Sequence, residues 1–247
     1  MKQYPITVFL PVYNFTPSRL VSNVAVVENY LKQNYPQYEM IIVDDNSNEA
    51  TRAAMKTLVS PTLSVLNYDF GPSRRENLAA SFCKAKYEYL CYMDVDLATD
   101  LNCLPPLTDS LEQGYEIAIG SRYKGIQPVR NRQRYWISNT YRLVLKILFS
   151  TKVLDHTCGF KAFRKSVVVP IVNEMGFDRT LRRGWFWDAE MLIRAQDAGH
   201  TINEIAVPWK ADNESTFNIK RELKLLPCLA GLWFKRLFRK RNRKCCN

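Results

Sequence analysis

Histidine is scarce in this 247-residue chain, with only His156 and His200 present. The seven cysteines form no Cys-x-x-Cys pair, so the usual ligand sets of structural zinc are missing. Their number is odd, and Cys83, Cys91 and Cys228 fall in apolar runs, which favours reduced thiols in a cytosolic protein over a disulfide framework. The terminal Cys245 and Cys246 alone are too little to signal lipidation. Toward the end the longest nearly apolar run, Leu225 to Phe234, is ten residues. A spanning helix needs ~20, so any meeting with a membrane is expected to be peripheral. Met1 to Pro5 is too short and too polar for a secretory signal. There is no internal repeat and no low-complexity linker.

Acidic residues are nearly absent from the end of the chain: from Lys220 onward ten basic residues face one acid, Glu222. That tail carries most of the net charge of +11, leaving the rest only mildly basic. A uniformly basic surface for nucleic acid is therefore not expected. A second basic cluster, this one without an acid, runs from Arg122 to Lys146. Trp233, Phe234, Leu237 and Phe238 lie among Lys235, Arg236 and Arg239, while Tyr135, Trp136, Leu143, Leu145 and Ile147 lie beside Arg134, Arg142 and Lys146. Cations mixed with aromatics in this way suit a helix lying on anionic lipid, here the cytoplasmic face of a membrane. Pro227 is expected to interrupt the helix of the tail.

Hydrophobic residues make up 47% and charged residues 24%, the balance of a folded domain. Strand-like runs at Ile6 to Leu10, Met40 to Val43, Leu63 to Leu66, Tyr87 to Met93 and Glu116 to Ile119 alternate with helical patterns. Leu20, Val24, Val27 and Leu31 give the first helix its apolar stripe, and Asn77 to Ala85 reads as another. This alternation predicts an α/β fold with a mostly parallel sheet flanked by helices. Later, Gly159 to Phe163 reads as a short strand, Trp187 to Ala198 as a helix and Ile202 to Val207 as an edge strand. One domain over 1–217 with a basic amphipathic extension over 218–247 is the simplest division.

Ligands of an open parallel sheet bind beyond the carboxyl ends of its strands. Pro11 to Asn14, Asp44-Asp45, Asp94-Val95-Asp96 and Ser121-Arg122 all follow strands and are expected to converge. Asp94 and Asp96, one residue apart after an apolar strand, suit a hard divalent cation set against a diphosphate. Asp44 and Asp45 read equally well as nucleotide contacts or as a cap for the next helix. Arg122 is placed to reach phosphate oxygens, with Gly120 allowing a tight turn before it. Asp155 reads either as a turn residue or as part of a site, and Glu190 can pair with Arg194 four residues on. His156 is given no role, and Trp185, Trp187 and Trp209 read first as core aromatics.

Taken together, Leu-Pro-Val-Tyr-Asn (10–14), Ile-Ile-Val-Asp-Asp-Asn-Ser (41–47), Met-Asp-Val-Asp-Leu (93–97), Gly-Ser-Arg-Tyr (120–123), Asp-His-Thr-Cys-Gly-Phe-Lys-Ala-Phe (155–163), Trp-Phe-Trp-Asp-Ala-Glu (185–190) and Glu-Ile-Ala-Val-Pro-Trp (204–209) resemble family 2 of the glycosyltransferases. Within it they are most similar to the polyprenyl-phosphate sugar transferases. The resemblance implies a GT-A type fold with a Rossmann-like nucleotide-binding half. It implies an inverting enzyme that moves a hexose from a UDP- or GDP-hexose to a lipid phosphate with Mg2+ or Mn2+. Pro11, Tyr13, Val43 and Asp45 would line the nucleotide pocket, and Asp94, Val95 and Asp96 would hold metal and diphosphate. Arg122 would contact the phosphates or the acceptor, Asp155 would lie near the acceptor, and Glu190 would sit on the helix below the sugar. The chain departs from the family pattern at Phe15, where an acid is usual, and at Lys210 and Asn213 to Thr216, in place of an arginine and Gly-Glu-Ser-Lys. Lys210 would serve the phosphates as a point charge. The alternatives are a saccharide acceptor, or a module that binds sugar nucleotide without turnover.

Overall fold

The computed structural model describes residues 2, 4–73, 75–124, 132–177, 183–184, 186–208 and 226–245. Its centre is a seven-stranded sheet ordered β3-β2-β1-β4-β6-β5-β7. In chain order the strands are β1 (Ile6–Val12), β2 (Tyr38–Asp44), β3 (Leu63–Asn67), β4 (Tyr89–Met93), β5 (Ile117–Ser121), β6 (Phe160–Arg164) and β7 (Ile202–Ala206). All neighbours run parallel except β6, which is antiparallel to both β4 and β5. Because β6 alone is reversed, the carboxyl ends of β1, β2, β4 and β5 share one edge of the sheet with the amino end of β6.

Helices cover both faces, as the continuous apolar strands require. Val8, Leu10, Met40 and Ile42 pack with Leu20, Val24, Val27 and Leu31 of α1 (Pro17–Asn34) and with Leu104, Leu107 and Leu111 of α4 (Leu104–Glu112). The alternate residues Phe9, Ile41 and Val43 face Leu78 of α3 (Glu76–Ser81), Val168 of α6 (Lys165–Met175) and Trp187 and Met191 of α7 (Phe186–Ala198). A third core joins Leu145 and Phe149 of α5 (Arg132–Phe149), Phe186, Ala189 and Ile193 of α7, and Leu229 and Leu232 of α8 (Leu226–Cys245).

Three local expectations are corrected. α2 (Glu49–Lys56) is capped by Asn48, whose side chain accepts from the Thr51 amide, and neither Asp44 nor Asp45 is its cap. Gly120 lies inside β5 rather than in a turn, where a Cβ would meet Cys158 Sγ and Val207 at 3.1 Å. Pro227 lies in the first turn of α8, where a missing amide costs no hydrogen bond, and does not interrupt the helix. No described helix is long and apolar enough to cross a membrane.

Candidate active site

The loops after β1 and β2 are tied together by side chains. The Asn14 amide donates to Ser47 Oγ at 3.1 Å, and Asn14 Oδ1 accepts from the Asn48 amide at 2.7 Å. Asn14 and Asn46 take positive φ, a conformation that asparagine tolerates better than most residues. Pro11 pairs in register with Val43, which is buried in the core, while Tyr13 stands 46% exposed beyond the strand. Asp44 is turned inward, accepting from the Ser47 amide and from Arg52 Nε at 2.8 and 2.7 Å. Asp45 Oδ1 accepts from Ser73 Oγ and Asn77 Nδ2, both at 2.6 Å.

After β4 the chain turns at once. The Leu97 amide donates to the Asp94 carbonyl at 3.2 Å, and Asp96 Oδ1 accepts from the Ala98 amide at 3.0 Å. Leu97 takes φ 56, a left-handed conformation that costs a leucine about 1–2 kcal/mol. Val95 is buried beneath the turn, and its carbonyl accepts from Asn23 Nδ2 at 2.8 Å. Asp94 is left facing outward with a side chain 47% exposed. Across from it runs Gly159, whose carbonyl accepts from the Asp94 amide at 3.2 Å.

Arg122, at the end of β5, is clasped by Asp155: Nε and Nη2 each donate to a carboxylate oxygen at 2.7 Å, and the Arg122 amide adds a third bond at 2.9 Å. Arg122 Nη2 also donates to Thr157 Oγ1 at 2.8 Å. The Asp155 amide is in turn held by Glu204 of β7 at 2.7 Å. Burial alone would push the Asp155 carboxyl up, but the Arg122 guanidinium outweighs it and holds the group below the usual carboxylate range. A carboxylate so engaged is a weak base and a strong anchor.

Four site groups were not legible as such in the sequence. Arg75 Nε donates to Asp188 at 3.2 Å and its Nη2 to Asp94 at 3.3 Å. Asp188 also takes Lys161 Nζ at 2.9 Å and the Tyr92 hydroxyl. Burial would raise the Asp188 carboxyl, yet the Lys161 ammonium and the Arg75 guanidinium hold it down. Thus Asp188, rather than Glu190, is the α7 carboxylate joined to the Asp94 turn. Glu190 pairs with Arg194 at 2.8 Å and lies 3.7 Å from Arg183. Lys161 carried a signal, a lone charge inside the apolar run Phe-Lys-Ala-Phe. Trp187 is a core aromatic, as expected. Lys210, Trp185, Trp209 and Asn213 to Thr216 lie outside the described residues.

His156 is buried, with Nε2 2.9 Å from Thr151 Oγ1, and burial together with the Lys161 charge pushes its pKa from 6.5 down to about 4. The unfolded chain therefore binds this proton before the folded one does. The resulting stability is present in full above pH 6.5 and is lost as pH falls toward 4. Its size is on the order of 3 kcal/mol. Urea titrations of His156→Gln should show a flatter stability curve over that window. An unchanged slope would mean that the imidazole is not held neutral.

A family model described as glycosyl transferase family 2 matches residues 7–172, which include the Asp45, Asp94, Arg122 and Asp155 positions. The chain belongs to this family. Among its relatives is glycosyltransferase AglD of Haloferax volcanii, 29% identical over 227 residues, covering 88% of this chain and 35% of that protein. The chain thus spans about a third of the length of the Haloferax family member. Dolichyl-phosphate beta-glucosyltransferase ALG5A of Trichomonas vaginalis is 23% identical over 232 residues, covering 89% of this chain and 70% of that one. The fold matches glucosyl-3-phosphoglycerate synthase from Mycobacterium tuberculosis in complex with uridine diphosphate, with TM-score 0.67 at 15% identity, covering 95% of this chain and 80% of that one. The same synthase has been solved with Mn2+ and UDP-glucose, a complex that this fold matches with TM-score 0.64 at 14% identity.

Proposed function

We propose that this chain is an inverting glycosyltransferase that moves a hexose from a UDP- or GDP-hexose to a polyprenyl phosphate. The observation that carries the reading is that Asp45, the Asp94–Asp96 turn and the Arg122–Asp155 clasp lie along one edge of the sheet in a family 2 fold. The acceptor class is supported by the dolichyl-phosphate relative.

Pro11, Tyr13, Val43 and Asp45 are assigned to the nucleotide. Val95 sets the turn from below, and Asp94 and Asp96 are assigned to the divalent cation. Among the described residues no group of three His, Cys, Asp or Glu gathers that could hold a metal. Magnesium needs no such cage, since it is commonly held by one or two carboxylates together with substrate phosphates and water. The hard, outward-facing carboxylate of Asp94 fits that mode. When bound, Mg2+ or Mn2+ would supply neutralisation of charge on the departing nucleoside diphosphate.

Arg122 presents its guanidinium to phosphate oxygens while Asp155 fixes its plane. The acceptor phosphate is already anionic, so Asp155 is needed for orientation more than for deprotonation. Attack of a phosphate oxygen on the anomeric carbon then breaks the bond to the diphosphate in one in-line step with inversion. Glu190 and Lys210 are assigned to the sugar and phosphate sides of the same site. The test is incubation with labelled UDP-glucose, UDP-galactose and GDP-mannose plus membrane lipid extract. Label should enter the organic phase, and label confined to water or to saccharide would refute the lipid acceptor.

Residues 1–217 are assigned to catalysis and 218–247 to contact with the cytoplasmic face of a membrane. Two exposed apolar stripes support this: Trp136, Leu143 and Ile147 on α5, and Phe234, Leu237 and Phe238 on α8. They lie on two helices sharing one core, in segments rich in cations. Phe234→Asp with Phe238→Asp should cut sedimentation with phosphatidylserine vesicles at least fivefold, as burial of two aromatics on a membrane implies. Equal sedimentation of wild type and variant would count against the contact.

A further inference from the structure

Arg75 is held from two sides. Its Nε reaches Asp188 at 3.2 Å, its Nη2 reaches Asp94 at 3.3 Å, and its guanidinium carbon lies 4.9 Å from the centre of the Tyr92 ring. Asp188 and Lys161 are almost wholly buried, with side chains 3% and 0% exposed, and they are 2.9 Å apart. The inner end of the arrangement is thus fixed and already charge-compensated. The outer end is different, because the Asp94 side chain is 47% exposed. Arg75 keeps its charge: burial by itself would weaken it, but the carboxylates of Asp188 and Asp94 more than offset that.

A bare divalent cation approaching Asp94 meets a guanidinium already on that carboxylate, and the like charges repel. A nucleoside diphosphate changes the balance. Arginine has five N–H donors in a planar fork, so Nη2 can exchange a carboxylate oxygen for a phosphate oxygen while Nε stays on Asp188. We propose that Arg75 is a resident counter-cation of Asp94, released by the donor's diphosphate, so that the divalent cation is captured with the nucleotide and not ahead of it. This rests on the assignment of Asp94 and Asp96 to the cation, given above. Asp188, Lys161 and Tyr92 are then positioning residues that keep Arg75 in reach of Asp94.

The experiment is Mn2+ titration of the full chain, followed by the electron paramagnetic resonance signal of free Mn2+, with and without UDP or GDP. In the wild type, nucleotide should tighten Mn2+ by about tenfold or more, within the usual range of coupling between sites, and Mn2+ should tighten nucleotide by the same factor. Arg75→Met should bind Mn2+ alone about tenfold more tightly and show a smaller nucleotide effect. Arg75→Lys keeps a charge near Asp188 but cannot span both carboxylates as a fork, so it should fall between the two and serves if the methionine variant does not fold. Mn2+ affinity unchanged in the folded variants, with nucleotide-dependent uptake intact in wild type, overturns the role of Arg75 alone. Absence of Mn2+ uptake by wild type with either nucleotide overturns the cation assignment and this inference with it.

Discussion

Asp188→Ala is expected to lower the free energy of unfolding by about 3–5 kcal/mol, the usual cost of breaking a buried ion pair by removing one partner. Lys161 would keep its charge inside the sheet with, among the described residues, the Tyr92 hydroxyl and the Cys158 carbonyl left as acceptors. Its side chain is 0% exposed, so bulk water does not solvate it in the intact fold. Replacing the pair together, Lys161→Met with Asp188→Leu, should recover most of the loss, because apolar residues of similar volume do at least as well in such positions. That double variant should still handle donor poorly, since Arg75 has lost its inner anchor. Urea unfolding separates these outcomes, and a loss under about 1 kcal/mol for Asp188→Ala would show that the network contributes little.

Gly159→Ala is expected to do the reverse, leaving stability nearly intact while lowering transfer at least 100-fold. A Cβ at Gly159 would lie 1.8 Å from Asp94 Oδ2 and 2.7 Å from Oδ1. The half-exposed Asp94 side chain can swing outward to make room, at a cost within the range of about 0.5 kcal/mol typical of surface substitutions. It cannot do so and remain in place. Displacement of a positioning group by about 1 Å commonly costs 10²-fold in rate. Measured side by side, a melting temperature near that of wild type with turnover near zero is the expected pattern. Normal turnover would mean that Asp94 is not required where it stands.

How much could be read in advance depended on how local the cause was. β1, β2 and β4 were legible because strands buried on both faces are continuous apolar runs, and α1 because Leu20, Val24, Val27 and Leu31 repeat at helical spacing. α4 is not legible in the sequence because Pro105 and Pro106 look like breakers, although in a first turn they break nothing. α6 was hidden by Pro170 and three successive valines, and it is held by the burial of Val167, Val168, Ile171, Val172 and Met175. The site divides in the same way. Asp45, Asp94, Asp96 and Arg122 follow strands directly, so sheet topology alone brings them to one edge. Arg75, Lys161 and Asp188 come from a loop, the reversed strand and a distant helix, and only the tertiary fold brings them together. The family resemblance implies Asp155 near the acceptor, but its clasp on Arg122 follows only from the fold.

In the proposed mechanism the carboxylates at 94 and 96 join a divalent cation to a sugar nucleotide. Calorimetric titration of UDP-glucose and GDP-mannose into wild type and Asp96→Asn, each with and without Mn2+, tests that junction. One donor should bind wild type at least tenfold more tightly with Mn2+ than without, and Asp96→Asn should lose that gain while remaining folded. Equal, Mn2+-enhanced binding by both proteins, or no binding of either donor to wild type, would contradict it.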